Sequence, residues 1–97
     1  MSIIIKLGRP AKINGNELTE ISLDLELLRG RDLIELETGF RRAYRGEFIP
    51  VLNIDARFQS WVAGRAAGIN PEDLGELYAP DFAAVCAEVQ SFLLGTA

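Results

Sequence analysis

Asn14-Gly15 narrows the fold more than any other feature, because it stands between two stretches whose apolar residues alternate. A type I′ turn needs positive φ at both central positions. Asn and Gly supply that at low cost, and the twist of such a turn matches the twist of paired strands. Before it, Ile3, Ile5 and Leu7 alternate with Ile4 and Lys6; after it, Ile21, Leu23, Leu25 and Leu27 alternate with Ser22, Asp24 and Glu26. This period of two predicts a β-hairpin over residues 1–27. Pro10 has no N–H to give a ladder and so marks an edge position or a bulge. A lone hairpin is marginal in water, so helices must cover its apolar face or strands of another copy must extend it.

From residue 31 the period changes to that of a helix. Leu33, Leu36, Phe40 and Tyr44 form one stripe and predict a helix over about 31–45, with Gly30 and Asp32 near its start and a Glu37–Arg41 pair across one turn. Gly46 and Pro50 interrupt the chain before a second helix, expected over 52–67, where Phe58, Trp61, Val62 and Ile69 recur at helical spacing. Gly68 suits a left-handed helix end. Gly64, in a run of small residues, costs a helix interior about 1 kcal/mol relative to Ala and so implies close packing. Asn70-Pro71-Glu72-Asp73 offers an N-cap, a proline at the first helical position and two acids in the first turn. A last helix, over 80–94, carries Phe82, Val85, Cys86, Val89, Phe92 and Leu93 as a full stripe, with Gly95 as its cap before Thr96-Ala97. The expected architecture is α+β: one domain over 1–97, an N-terminal β-hairpin in 1–27, then three main helices and a short helical turn in 31–95.

The 97 residues contain no histidine, which removes the commonest general base and metal ligand, and the single Cys86 builds neither a zinc site nor an internal disulfide. Cys86 lies on an apolar stripe and reads as a buried thiol. Glu35 and Glu37 are two apart and share no helix face, and Glu72 with Asp73 serves a helix N-terminus. Neither glycine-containing stretch, Gly8-Arg9-Pro10 or Gly64-Arg65-Ala66-Ala67-Gly68, continues into a phosphate-binding loop. The inventory predicts no enzyme, no cofactor and no metal.

Charge is unevenly placed. Residues 1–65 hold all ten Lys and Arg against nine acids, a balance of +1, whereas 66–97 hold five acids and no base, a balance of −5. The acidic end disfavours nucleic acid. Arg29, Arg31, Arg41, Arg42 and Arg45 are interleaved with Asp32, Glu35 and Glu37, which predicts a largely cancelled, solvated helix face, with a nucleic-acid patch as the alternative and a head-to-tail self-contact between basic middle and acidic end as a further one. No apolar run spans a bilayer, the start lacks a signal peptide, and the lone cysteine suits a reducing compartment. A soluble cytoplasmic protein is expected.

Several short motifs carry a resemblance. They are Leu23-Asp24-Leu25, Leu28-Arg29-Gly30-Arg31-Asp32-Leu33-Ile34, Phe58-Gln59-Ser60-Trp61-Val62-Ala63, Ala66-Ala67-Gly68-Ile69, Glu72-Asp73-Leu74, Asp81-Phe82 and Val89-Gln90-Ser91-Phe92-Leu93-Leu94. In this order, after the strand–Pro10–Asn14-Gly15–strand opening, the chain resembles the small tail assembly chaperones of long-tailed bacteriophages and prophages of the Mu-related type. Tyr78-Ala79-Pro80 departs from the Leu-Pro-rich junction of that group. The resemblance implies a non-catalytic, multi-copy protein of the bacterial cytoplasm. Such a protein binds the tape-measure protein, keeps it soluble until tail-tube subunits polymerise, and is absent from the mature virion. It also implies that a frameshifted, extended form recruits tail-tube protein. A structural adaptor retained in the phage tail, and a small regulatory protein, are the competing readings. A DNA-binding regulator would want a basic recognition helix, and the last helix has Asp81 and Glu88 but no base. Candidate partner-binding residues are Trp61, Val85, Val89 and Phe92, on the edge of the last two main helices.

Overall fold

A computed structural model describes residues 2–95; Met1, at the start of the expected hairpin, and Thr96-Ala97 beyond the expected cap lie outside the described residues. Strand β1 (Ile3–Ile13) and strand β2 (Asn16–Leu23) pair antiparallel as a two-stranded sheet. Asn14 and Gly15 turn the chain between them with φ of 53° and 80°, the signature expected of a type I′ turn. Helices α1 (Gly30–Ala43), α2 (Ala56–Ala67), α3 (Pro71–Leu74) and α4 (Ala79–Leu94) follow. The chain is thus α+β, a hairpin followed by helices.

Pro10 lies in a bulge. Lys6 pairs with Glu20 and Ala11 with Leu18, so Leu7 to Pro10 stand opposite Thr19 alone. A bulge bends its strand and re-aims side chains. Here it buries Ala11 and Ile13 in the outer half of the hairpin, while Ile21 and Leu23 are buried in the inner half. The amides that the bulge releases from the ladder find another acceptor. Asp81, at the start of α4, takes the Gly8 N–H at 2.9 Å and the Arg9 N–H at 3.3 Å. The Arg9 guanidinium lies over the Tyr78 ring at 3.9 Å.

Three boundaries differ from expectation. Strand β2 ends at Leu23, and Leu25–Leu27 form a 3-10 turn instead of continuing the alternation. The Asp24 N–H donates to the Ala66 carbonyl at the end of α2, which turns the chain inward so that Leu25 is buried and Leu27 is exposed. Helix α2 starts at Ala56 and not at 52: Asp55 accepts the Arg57 and Phe58 N–H groups as an N-cap, and Leu52–Ile54 form a separate 3-10 turn before it. Helix α1 stops at Ala43, two residues short of the expected 45. The cap residues agree with the sequence. The Asn70 side chain accepts the Glu72 N–H, and Gly68 and Gly95 are both left-handed, with φ of 71°.

Helix α2 is the hub. Helices α1, α3 and α4 pack on it, as does strand β2. The core joins Ile21, Leu23 and Leu25 to Leu36 and Phe40 of α1, Phe58, Val62 and Ala63 of α2, Leu74, and Val85 and Val89 of α4. Among the described residues no buried side-chain nitrogen or oxygen lacks a partner. Buried Gln59, for example, donates to the Asn53 carbonyl at 2.8 Å and to the Gln90 side-chain oxygen at 3.0 Å.

The Asp81 contact yields a measurable expectation. Hydrogen bonds to a charged acceptor are worth about 1.5–3 kcal/mol each, and removing the acceptor strands its donors. Asp81→Ala is expected to lower the urea-unfolding free energy by about 2–4 kcal/mol, with Asp81→Asn between it and the unaltered protein. Amide exchange at Gly8 and Arg9 should accelerate in both variants. Unchanged exchange at these two amides would show that Asp81 does not hold the bulge.

Candidate functional site

A groove of about 1020 Å³ runs along α2, walled by α1 on one side and by residues 69–75 on the other, with Phe82 of α4 at its margin. Arg57, Trp61, Gly64 with Arg65, and Gly68 line it at intervals of three and four, so it follows one face of the helix. Eleven residue steps make that face about 17 Å long. Ala43 of α1, Tyr44 just after it, and Ile69 and Pro71 beyond α2 add apolar surface, while Ser60, Asn70 and Glu72 add polar groups beside Arg57 and Arg65.

The walls are held in place by local interactions. Phe40 is fully buried and meets Trp61 edge-on at 5.3 Å, Phe58 edge-on at 5.5 Å and Tyr44 at 4.6 Å between ring centroids. Such tilted arrangements suit the ring quadrupoles. The Arg57 guanidinium sits over the Tyr44 ring at 4.6 Å and donates to Asp55 at 3.2 Å and to Glu47 at 2.9 Å. The hydrogen bond from Arg57 holds the Asp55 carboxyl below its ordinary value, against the opposing effect of burial, and the same contacts raise the pKa of Arg57. Across the groove, Arg65 donates to Asp32 at 2.9 Å and lies 3.6 Å from Glu35, tying α2 to α1.

Gly64 explains the shape of the far wall. The Ile69 N–H donates to the Gly64 carbonyl at 2.9 Å, closing the end of α2 with left-handed Gly68 between them. A Cβ on Gly64 would lie 2.5 Å from the Ile69 carbonyl oxygen and 3.3 Å from Pro71. The close packing expected at this glycine is therefore with the turn into α3.

The four candidate partner-binding residues do not form one site. Trp61 is half-buried and lines the groove. Val85 and Val89 have no accessible surface; they face α2 and the hairpin as core residues, which corrects their assignment to an exposed edge. Phe92, 37% exposed, lies on α4 and not in the groove. Sequence reasoning passed over Ala43, Tyr44 and Pro71 as groove residues, because they come together only when α1 and α3 pack on opposite sides of α2. A second, smaller cleft of about 390 Å³ lies between α1, residues 50–53 and Leu93. Nearby in sequence, Phe48 is 91% exposed, with Val51 and Ile54 also outward.

The groove combines the rings of Trp61, Tyr44 and Phe82 with the charged side chains of Arg57, Arg65 and Glu72. Its lining has no cysteine or histidine, and no group of three metal-ligating side chains occurs among the described residues. Cys86 is buried elsewhere, near the Ala56 carbonyl at 3.8 Å, and burial pushes its thiol pKa up. No helix among the described residues is long and apolar enough to cross a membrane.

Two variants probe the walls. Gly64→Ala should destabilise by about 1–3 kcal/mol, the range for overpacking, although Ala is the better helix former. Gly30→Ala, where an added Cβ meets nothing, is the control and should be neutral or mildly stabilising. Asp55→Asn keeps the N-cap and removes the charge facing Arg57. The folded-state pKa of Asp55 lies below its ordinary 3.8, so its stabilising effect is present above that value and is lost as pH falls through the folded pKa. In urea titrations the stability gap between unaltered protein and Asp55→Asn should therefore be widest near neutral pH and close as pH falls below about 3.8. Compared with protein-family models, with curated proteins and with solved structures, the chain matches none.

Proposed function

We propose that this protein is a non-catalytic assembly chaperone of a phage or prophage tail, and that the groove along α2 holds apolar helical segments of a tape-measure protein. The observation that carries the reading is the uncovered face of α2 itself. It is long enough for about three helical turns, lined by Trp61, Tyr44, Ile69 and Phe82, and closed by walls that hydrogen bonds and ring contacts fix. An amphipathic helix docks in such a groove through side chains at i, i+3, i+4 and i+7. Fixed walls lower the ordering cost of binding. The ordered series of motifs from Leu23 to Leu94 supports the same reading through its resemblance to tail assembly chaperones. Multiple copies would coat the client in the host cytoplasm and leave before the virion is complete. The net charge of −4 favours solubility of such a coat.

The test is co-expression of the full chain with a long helical tape-measure protein, followed by size-exclusion chromatography with light scattering. The expected result is a soluble complex with many copies of this chain per client. Ala43→Arg places a long charged side chain in the groove from an exposed position and should leave the circular dichroism spectrum unchanged. It should weaken client capture by about tenfold or more, as burying an unpaired charge in the docked complex is costly. An insoluble client with this chain eluting alone would overturn the reading in favour of an adaptor resident in the tail.

A further inference from the structure

The acids of α1 do not cancel its arginines, because most of their bonding is directed elsewhere. Asp32 accepts from the Arg65 side chain at 2.9 Å and from the Arg29 N–H at 2.7 Å. Glu35 lies 3.6 Å from Arg65, and Glu37 pairs with Arg41 at 3.3 Å. Arg31, Arg42 and Arg45 are left exposed, with no carboxylate partner among the described residues. Arg31, Ile34, Thr38 and Arg42 fall at i, i+3, i+7 and i+11, so they share the outer face of α1. Ile34 is 67% exposed in the middle of that face. The structure thus replaces the expected neutral surface by a basic one with an apolar centre.

The opposite sign is concentrated at α3. Glu72, Asp73 and Glu76 have no ion-pair partner among the described residues, and no base occurs from residue 66 to residue 95. Asp81, the neighbouring acid, is turned inward to the hairpin amides. Helices α1 and α3 stand on opposite sides of the groove, each packed on α2. Two complementary patches that one molecule holds apart are satisfied between molecules. We propose that copies of this chain associate head to tail, the outer face of α1 on one copy docking against the acidic α3 end of the next. Such a contact uses two different surfaces, so it propagates into rings or open chains and not only into dimers.

Exposed ion pairs are individually weak and salt-sensitive, so the contact should form at high protein concentration and low ionic strength. Between about 0.01 M and about 1 M salt the screening length falls from about 30 Å to about 3 Å. Sedimentation velocity on the unaltered protein should show mass above monomer at the low end and monomer at the high end. The triple variants R31E/R42E/R45E and E72K/D73K/E76K should each be monomeric at low salt, and their equimolar mixture should associate again, since each contact between the two variants brings opposite charges together, one with the native sign and the other with the sign reversed. Monomer at every salt concentration, or association that survives in each triple variant alone, overturns the proposal. So does a basic face that binds labelled duplex DNA, with binding lost in R31E/R42E/R45E, while the unaltered protein stays monomeric.

Discussion

The Asp81 carboxylate joins the two halves of the fold. A two-stranded sheet has little stability of its own in water, and β1 is further interrupted where Leu7 to Pro10 face a single residue of β2. Pro10 removes one donor, and the bulge leaves the Gly8 and Arg9 amides outside the ladder. Asp81 accepts both at the start of α4, where the helix dipole favours a negative charge. One carboxylate thus satisfies a defect in the strand and anchors the hairpin against the helical layer. Arg9 reinforces the same junction through the Tyr78 ring.

From that junction the hairpin presents Ile21 and Leu23 to a core organised around α2. This helix has Phe58, Gln59, Ser60, Val62, Ala63, Gly64 and Ala66 buried, more of its surface than an amphipathic helix normally hides. Its ends are fixed by side chains and turns: Asp55 caps the first turn, Gly64 accepts the Ile69 amide at the last, and the Ala66 carbonyl accepts the Asp24 N–H. Arg57 serves both the cap and the aromatic wall, pairing with Asp55 while covering Tyr44. What α2 leaves uncovered is a single strip, and that strip is the groove.

Local signals in the sequence were readable wherever the physics is local. Asn14-Gly15 specified its turn, Asn70-Pro71 its helix start, and Gly68 and Gly95 their left-handed ends, because each depends on backbone geometry within a few residues. The stripe of α1 placed Leu36 and Phe40 inward for the same reason. Alternation alone misled at Leu25 and Leu27, since the end of β2 is decided by the distant Ala66 carbonyl. The role of Asp81 was equally illegible: a proline-acid pair announces a helix start, but not a bulge seventy residues away. The groove had one visible sign, the costly Gly64, whose meaning depended on where Ile69 and Pro71 return.

The misplacement of Val85 and Val89 has the same origin. A helical stripe states which residues avoid water, not whether the chain or a partner covers them. On α4 the chain does the covering, because α2 and the hairpin meet along that stripe and leave Val85 and Val89 no accessible surface. Charge follows a parallel logic. Sequence proximity pairs each arginine of α1 with a nearby acid, yet Arg65, thirty residues away, captures Asp32 and Glu35 because it projects from the packed neighbour helix. A partner in the groove would touch α2 beside that captured pair and beside the Arg57 cluster. Contacts already formed in the free protein would then keep the ordering cost of such a partner low.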